Sequence, residues 1–188
     1  MQSKVRRIII CSCMGKSKEE YRSKSKSIWT SENILISEPS INKNLSNFLG
    51  NSTKTVMAYL ATNDEVNIIP SFEHLSSLQI PYIHSSKIYR CKYSEELVLS
   101  ELGFPIPKTI EIPTDMPNLI IIPGRYFDIY GNRIGRGKGH YDKFLTNHMD
   151  ATFVGISLHQ TVVRLLPNNI QDIKMDIIVT EKDVLEIK

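Results

Sequence analysis

The chain has 188 residues, 41% of them hydrophobic and 23% charged, which excludes a disordered or fibrous polypeptide and fits one domain over residues 1–188. A formal charge of +3 is too mild to mark a dedicated nucleic-acid-binding chain. Three cysteines, Cys11, Cys13 and Cys91, exclude a disulfide framework, so a reducing, cytoplasmic setting is expected.

Residues 1–26 carry eight Lys or Arg against Glu19 and Glu20, a local charge of +6. With Tyr21 and Trp29 interleaved, such a run could track RNA. A solvated helix face is the plainer reading, and no nucleic-acid partner is expected. The apolar stretch in "RRIIICSC" is too short and broken for a secretion signal. Ser17 followed by Glu20 fits a capping box, and Tyr21, Ile28, Trp29 and Leu35 recur at near-helical spacing, predicting a helix over 18–35. "TVMAYLA", 55–61, reads as a buried strand, followed by a polar bend at Thr62–Glu65 and a helix over 71–78. "IPYIH" is another short strand, and the Pro-rich stretch 104–117 an irregular surface connection. "NLIIIP", 118–123, is the least ambiguous strand, and "TFVGISL", 152–158, and "DIIVT", 176–180, repeat its pattern. Continuous apolar strands separated by helix-length segments imply a three-layer α/β domain with a mainly parallel sheet. No run approaches the roughly 18 apolar residues of a membrane span, so no membrane partner is expected.

"GNRIGRGKGHYDKFL", 131–145, places four glycines and four basic residues after a buried strand and before a helical pattern. Glycine lets backbone N–H groups approach a ligand closely, and a helix N-terminus favours anions, so the loop suits phosphate oxygens. Arg133, Arg136 and Lys138 add charge. Neither common phosphate loop fits: Arg136 stands where a Walker A needs its second glycine, and His140 interrupts a G-x-G-x-x-G. Phosphate transfer would also require Mg²⁺, which favours one or two carboxylates with phosphate oxygens. Asp142 is the nearest carboxylate, and its plain alternative is a first-turn helix residue. The cysteines and histidines show no zinc-ligand spacing.

Pro123-Gly124, Phe127-Asp128, Gly131-Asn132-Arg133, the run Gly135 to Gly139, and Tyr141-Asp142 together resemble the signature of the 5-formyltetrahydrofolate cyclo-ligases. The likeness extends through "AYLATNDEV", "VGISLHQTVVRLLP" and "QDIKMDIIVTE", covering nearly the whole chain. It implies a Rossmann-like sheet similar to that of sugar-phosphate isomerases and CoA transferases, acting as a monomer. The implied reaction is ATP- and Mg²⁺-dependent cyclisation of 5-formyltetrahydrofolate to 5,10-methenyltetrahydrofolate, releasing ADP and phosphate. A nucleotide- or folate-binding homologue without turnover is the alternative.

The same likeness assigns nucleotide contacts to Arg133, Gly135, Arg136, Gly137, Lys138, Gly139, His140 and Tyr141. Arg136, Lys138 and Tyr141 would act in catalysis. Leu60, Glu65, Arg136 and His140 would contact folate, while Asp142 and Asp172 would hold the metal. The family's leading helix carries Lys and Arg four apart, directed at nucleotide phosphates. Lys4 and Arg7, three apart, with Arg6 between them, are the candidates here. His140 replaces a tyrosine of the family loop, and Ile106 replaces a glutamate before proline. Asp176 completes the family's last acidic pair with Asp172.

Overall fold

Ser17 opens the first helix, α1 (Lys18–Ser25), by the expected capping box: its hydroxyl accepts from Glu20 N at 3.3 Å, and the Glu20 carboxylate accepts from Ser17 N at 2.6 Å. The structure, a computed structural model, describes residues 15–50, 55–72, 77–85, 87–100 and 103–187. Lys4, Arg6, Arg7, Cys11, Cys13 and His74 therefore lie outside the described residues.

The helix expected over 18–35 is two helices. Thr30, in an extended conformation, accepts from Asn33 N and caps α2 (Ser31–Leu49). Between the helices Trp29 turns inward to 5% exposure, and its Nε1 donates to Arg125 O at 2.9 Å. The apolar spacing that predicted one helix thus serves two elements. Leu35, expected on the apolar face, is exposed because α2 buries Ile34, Ile41, Leu45 and Leu49 instead.

The main sheet contains β1 (Val56–Ala58), β2 (Leu78–His84), β3 (Lys87–Lys92), β6 (Leu119–Pro123), β9 (Thr152–Ile156), β11 (Ile177–Val179) and β12 (Val184–Glu186). Its spatial order is β12-β11-β9-β6-β1-β2-β3, with only the edge strands β3 and β12 antiparallel to their neighbours. The mainly parallel α/β sheet is as expected. Of the helix expected over 71–78, residues 73–76 lie outside the described residues; at its two ends Ile69–Phe72 is a 3₁₀ turn and Leu78 already pairs with Val56 in β2. β3, "KIYRCK", alternates exposed or half-buried residues up to buried Cys91, as an edge strand does. The Pro-rich connection is partly ordered, since β5 (Pro105–Pro107) pairs with β4 (Leu97–Leu99).

Successive side chains of a strand face opposite ways, so continuous apolar runs require cover on both faces. Val56, Ala58, Leu119, Ile121, Val154 and Ile156 pack with the buried stripe of α2. On the other face, Met57, Ile120, Ile122 and Phe153 meet Phe127, Phe144 and Leu145. This second layer comprises a small sheet and the short helix α3 (His140–Leu145). In the small sheet β7 (Tyr126–Asp128) is flanked by β8 (Arg133–Ile134) and β10 (Val162–Val163). Glycine makes the close fit possible: a Cβ on Gly124 or Gly155 would collide with the Phe127 ring, which is fully buried between them.

Candidate active site

In open parallel sheets, ligands bind beyond the carboxyl ends of strands where the strand order reverses. Here the chain runs from β1 to its neighbour β2, then crosses to β6 on the other side of β1. A cleft of about 680 Å³ lies at that point. Tyr59, Leu60, Thr62 and Glu65 follow β1 into it, while Gly124 and Arg125 follow β6.

The glycine loop forms one wall. Residues 135–142, with Arg133 beneath them, line the cleft, and Gly137 and Gly139 adopt φ of +96° and +64°, where other residues are strained. α3 is only six residues long, so charge here comes from side chains and loop amides more than from a helix dipole. Asp128 fixes the loop's origin. Fully buried, it accepts from Tyr130 N, Asn132 N, Asn132 Nδ2 and Leu166 N at 2.8–2.9 Å, tying the β7–β8 turn to the segment after β10.

Arg133 lies almost wholly buried under this loop, its Nη1 donating to Pro123 O at 3.3 Å and its Nη2 to Asp142 Oδ1 at 3.1 Å. Its guanidinium also sits 5.7 Å from the centre of the Tyr141 ring. Burial, then the charge of Glu65, pushes the Tyr141 phenol well above its ordinary range and keeps it protonated. His140 is held below the ordinary histidine range by burial, then by Lys138 and Lys143.

α1 supplies the facing cations. Lys18 and Arg22, four apart on one helix face, both line the cleft. Lys18 pairs with Asp172 at 2.5 Å, and Arg22 Nε donates to Gly135 O at 3.1 Å. The expected Lys and Arg four apart are therefore present on a described helix, whereas Lys4 and Arg7 lie outside the described residues. Part of the basic run read as a solvated face is turned inward. Spacing alone could have revealed Lys18 and Arg22.

The remaining predicted residues converge. Leu60, Glu65, Arg133, Gly135, Arg136, Gly137, Lys138, Gly139, His140, Tyr141, Asp142 and Asp172 all line the one cleft. Asp176 does not; its carboxylate accepts from Phe153 N at 2.7 Å and closes the start of β9. Pro81, Tyr82, Ile83, Ile88, Phe104 and Ile106 form an apolar wall, of which the sequence had singled out Ile106 alone. The cleft thus joins a cation-rich wall to an apolar one, as an anionic nucleotide and an aromatic ring system would require.

Among the described residues, no three or more His, Cys, Asp or Glu converge as a metal cage. Mg²⁺ needs no cage, because it uses one or two carboxylates and keeps phosphate and water ligands. Asp142 and Asp172, hard oxygen donors lining the same cleft as the glycine loop, fit that requirement. Among the described residues no helix is long and apolar enough to cross a membrane.

Residues 18–181 match the profile of the 5-formyltetrahydrofolate cyclo-ligase family. The 5-formyltetrahydrofolate cyclo-ligase of Escherichia coli strain K12 is 30% identical over 146 residues, 70% of this chain and 80% of that protein. A probable 5-formyltetrahydrofolate cyclo-ligase of Caenorhabditis elegans is 30% identical over 74 residues, 36% of each chain. The 5,10-methenyltetrahydrofolate synthetase of Aquifex aeolicus superposes with a TM-score of 0.74 at 25% identity, covering 91% of this chain and 93% of that one. With the profile spanning most of its length and the fold shared, the chain belongs to the 5-formyltetrahydrofolate cyclo-ligase family.

Proposed function

We propose that this cleft cyclises 5-formyltetrahydrofolate to 5,10-methenyltetrahydrofolate at the expense of ATP, as the family assignment implies for a ligase of folate metabolism. The observation that carries the reading is the meeting of the cationic loop, the Lys18–Arg22 helix face and the apolar wall in one space. Lys18, Arg22, Arg136 and Lys138 hold the triphosphate, with the amides of residues 135–139 and the rings of His140 and Tyr141 beside it. The apolar wall and Leu60 take the folate ring, with Glu65 as the polar contact at its edge. Arg133 supports this arrangement from below through Asp142 and Tyr141.

The formyl oxygen attacks the γ-phosphorus and ADP departs; N10 then attacks the activated carbon, and phosphate leaves as the ring closes and N10 loses its proton. An amide oxygen needs no deprotonation to act as nucleophile. In-line positioning and charge stabilisation therefore supply the catalysis, without a strong base. Arg136 and Lys138 stabilise the transferring phosphoryl group, and the protonated Tyr141 phenol closes the site against water. Mg²⁺, held by Asp142 and Asp172, would neutralise phosphate charge when bound. One chain contains every group invoked, so a monomer suffices.

The test is conversion of 5-formyltetrahydrofolate by the purified chain, followed through the absorbance of the methenyl product. Turnover should require both ATP and Mg²⁺. Tight nucleotide or folate binding without product would instead show a non-catalytic homologue.

A further inference from the structure

Arg136 reaches across the mouth of the cleft to the Thr62–Glu65 turn. Its Nη2 meets the Thr62 hydroxyl and Asp64 Oδ1, and lies 3.1 Å from Glu65 Oε1. Asp64 is itself fixed from behind: Arg125 Nη2 pairs with Asp64 Oδ2, and Arg125 Nη1 donates to Asp64 O at 2.8 Å. Arg125 is held in turn, 11% exposed and 5.5 Å from the centre of the Trp29 ring, with its carbonyl accepting the Trp29 indole N–H.

A rigid chain of contacts therefore runs from the buried Trp29 through Arg125 and Asp64 to the loop arginine. An arginine at a loop tip, 40% exposed, has many rotamers, and ordering it for reaction costs entropy. Asp64 removes that freedom before ligand arrives by occupying one end of the guanidinium. Its two oxygens divide the work, Oδ2 bound to the anchored Arg125 and Oδ1 to Arg136 and to the Thr62 hydroxyl, which donates at 2.8 Å.

From this geometry we infer that Asp64 is a positioning residue for phosphoryl transfer, holding Arg136 across the cleft in its working orientation. The inference rests on the proposed role of Arg136 at the phosphates. Asp64 touches neither substrate in this scheme, and its effect on turnover passes chiefly through Arg136.

The experiment is a double-mutant cycle on ATP-dependent turnover, with thermal midpoints measured for every variant. Asp64→Asn should lower kcat/KM about tenfold, mainly in kcat, whereas in an Arg136→Ala background it should change turnover less than about twofold. Should Asp64→Asn fail to fold, Asp64→Glu, which keeps the charge but displaces it by one methylene, enters the same cycle with the same expected coupling. An undiminished effect in the Arg136→Ala background would make Asp64 merely structural and overturn the inference. Faster turnover in Asp64→Asn would overturn it as well, showing that Asp64 restrains Arg136 from the phosphates. Wild-type kinetics for Arg136→Ala alone would remove the proposed role of Arg136, and the inference with it.

Discussion

Lys18, in the first turn of α1, donates to the Asp172 carboxylate across 154 positions of sequence, and the same oxygen accepts the Asn169 amide at 2.6 Å. The acid proposed for the metal thus also fixes a cation proposed for phosphate. Asp142 is in the same position relative to Arg133. Each carboxylate proposed for the metal is thus paired with a basic side chain.

Asp142→Asn preserves size and hydrogen bonding while removing charge, so it should raise the Mg²⁺ concentration needed for half-maximal turnover and lower kcat. Asp172→Asn should do the same more weakly and should also raise KM for ATP by loosening Lys18. Acting on one ion, the two losses should sum to less than their separate effects. Mg²⁺ titrations of both single variants and the double variant decide this. Additive losses would argue against a shared ion.

Gly155→Ala places a methyl group against the Phe127 ring, which is already fully buried beside Gly124. Overpacking of this kind destabilises by about 1–3 kcal/mol. Phe127→Leu should therefore cost much less in the Gly155→Ala background than in the wild-type chain, as measured by urea unfolding. Equal costs in the two backgrounds would show that the ring does not require the missing side chain.

His140 binds a proton less readily in the fold than in the unfolded chain, because burial and then Lys138 and Lys143 disfavour its charged form. The unfolded state therefore carries more protons just beneath the ordinary histidine range. Stability should be complete above about pH 6.5 and decline as pH falls below it. His140→Tyr, the residue of the family loop, should flatten that decline in thermal midpoints followed through the window. Identical slopes would assign the acid sensitivity elsewhere.

The central strands were legible because burial on both faces forces unbroken apolar runs, as in Leu119–Ile122 and Phe153–Val154. The glycine loop was legible because few other demands concentrate glycine and arginine after such a strand. The break between α1 and α2 was not, since the inward turn of Trp29 is a tertiary event that leaves helical spacing intact. β3 escaped notice because an edge strand carries charges such as Lys87, Arg90 and Lys92 without loss. Thr62 and Asp64 lie within the quoted stretch "AYLATNDEV", but nothing in it gave them a partner; only the pairing of β1 with β6 brings them, with Arg125, to the loop.

The segment at 169–172 reaches back to α1, and β11, which pairs with β9, follows it in the chain. While residues beyond Asn169 remain inside a ribosome's exit tunnel, Lys18 has no Asp172 to meet, and the cleft lacks one of its sides. A bound nucleotide can favour the folded state only in proportion to its affinity for a formed site. In the proposed scheme, protection by ATP against unfolding or proteolysis should therefore begin only after synthesis has passed this segment.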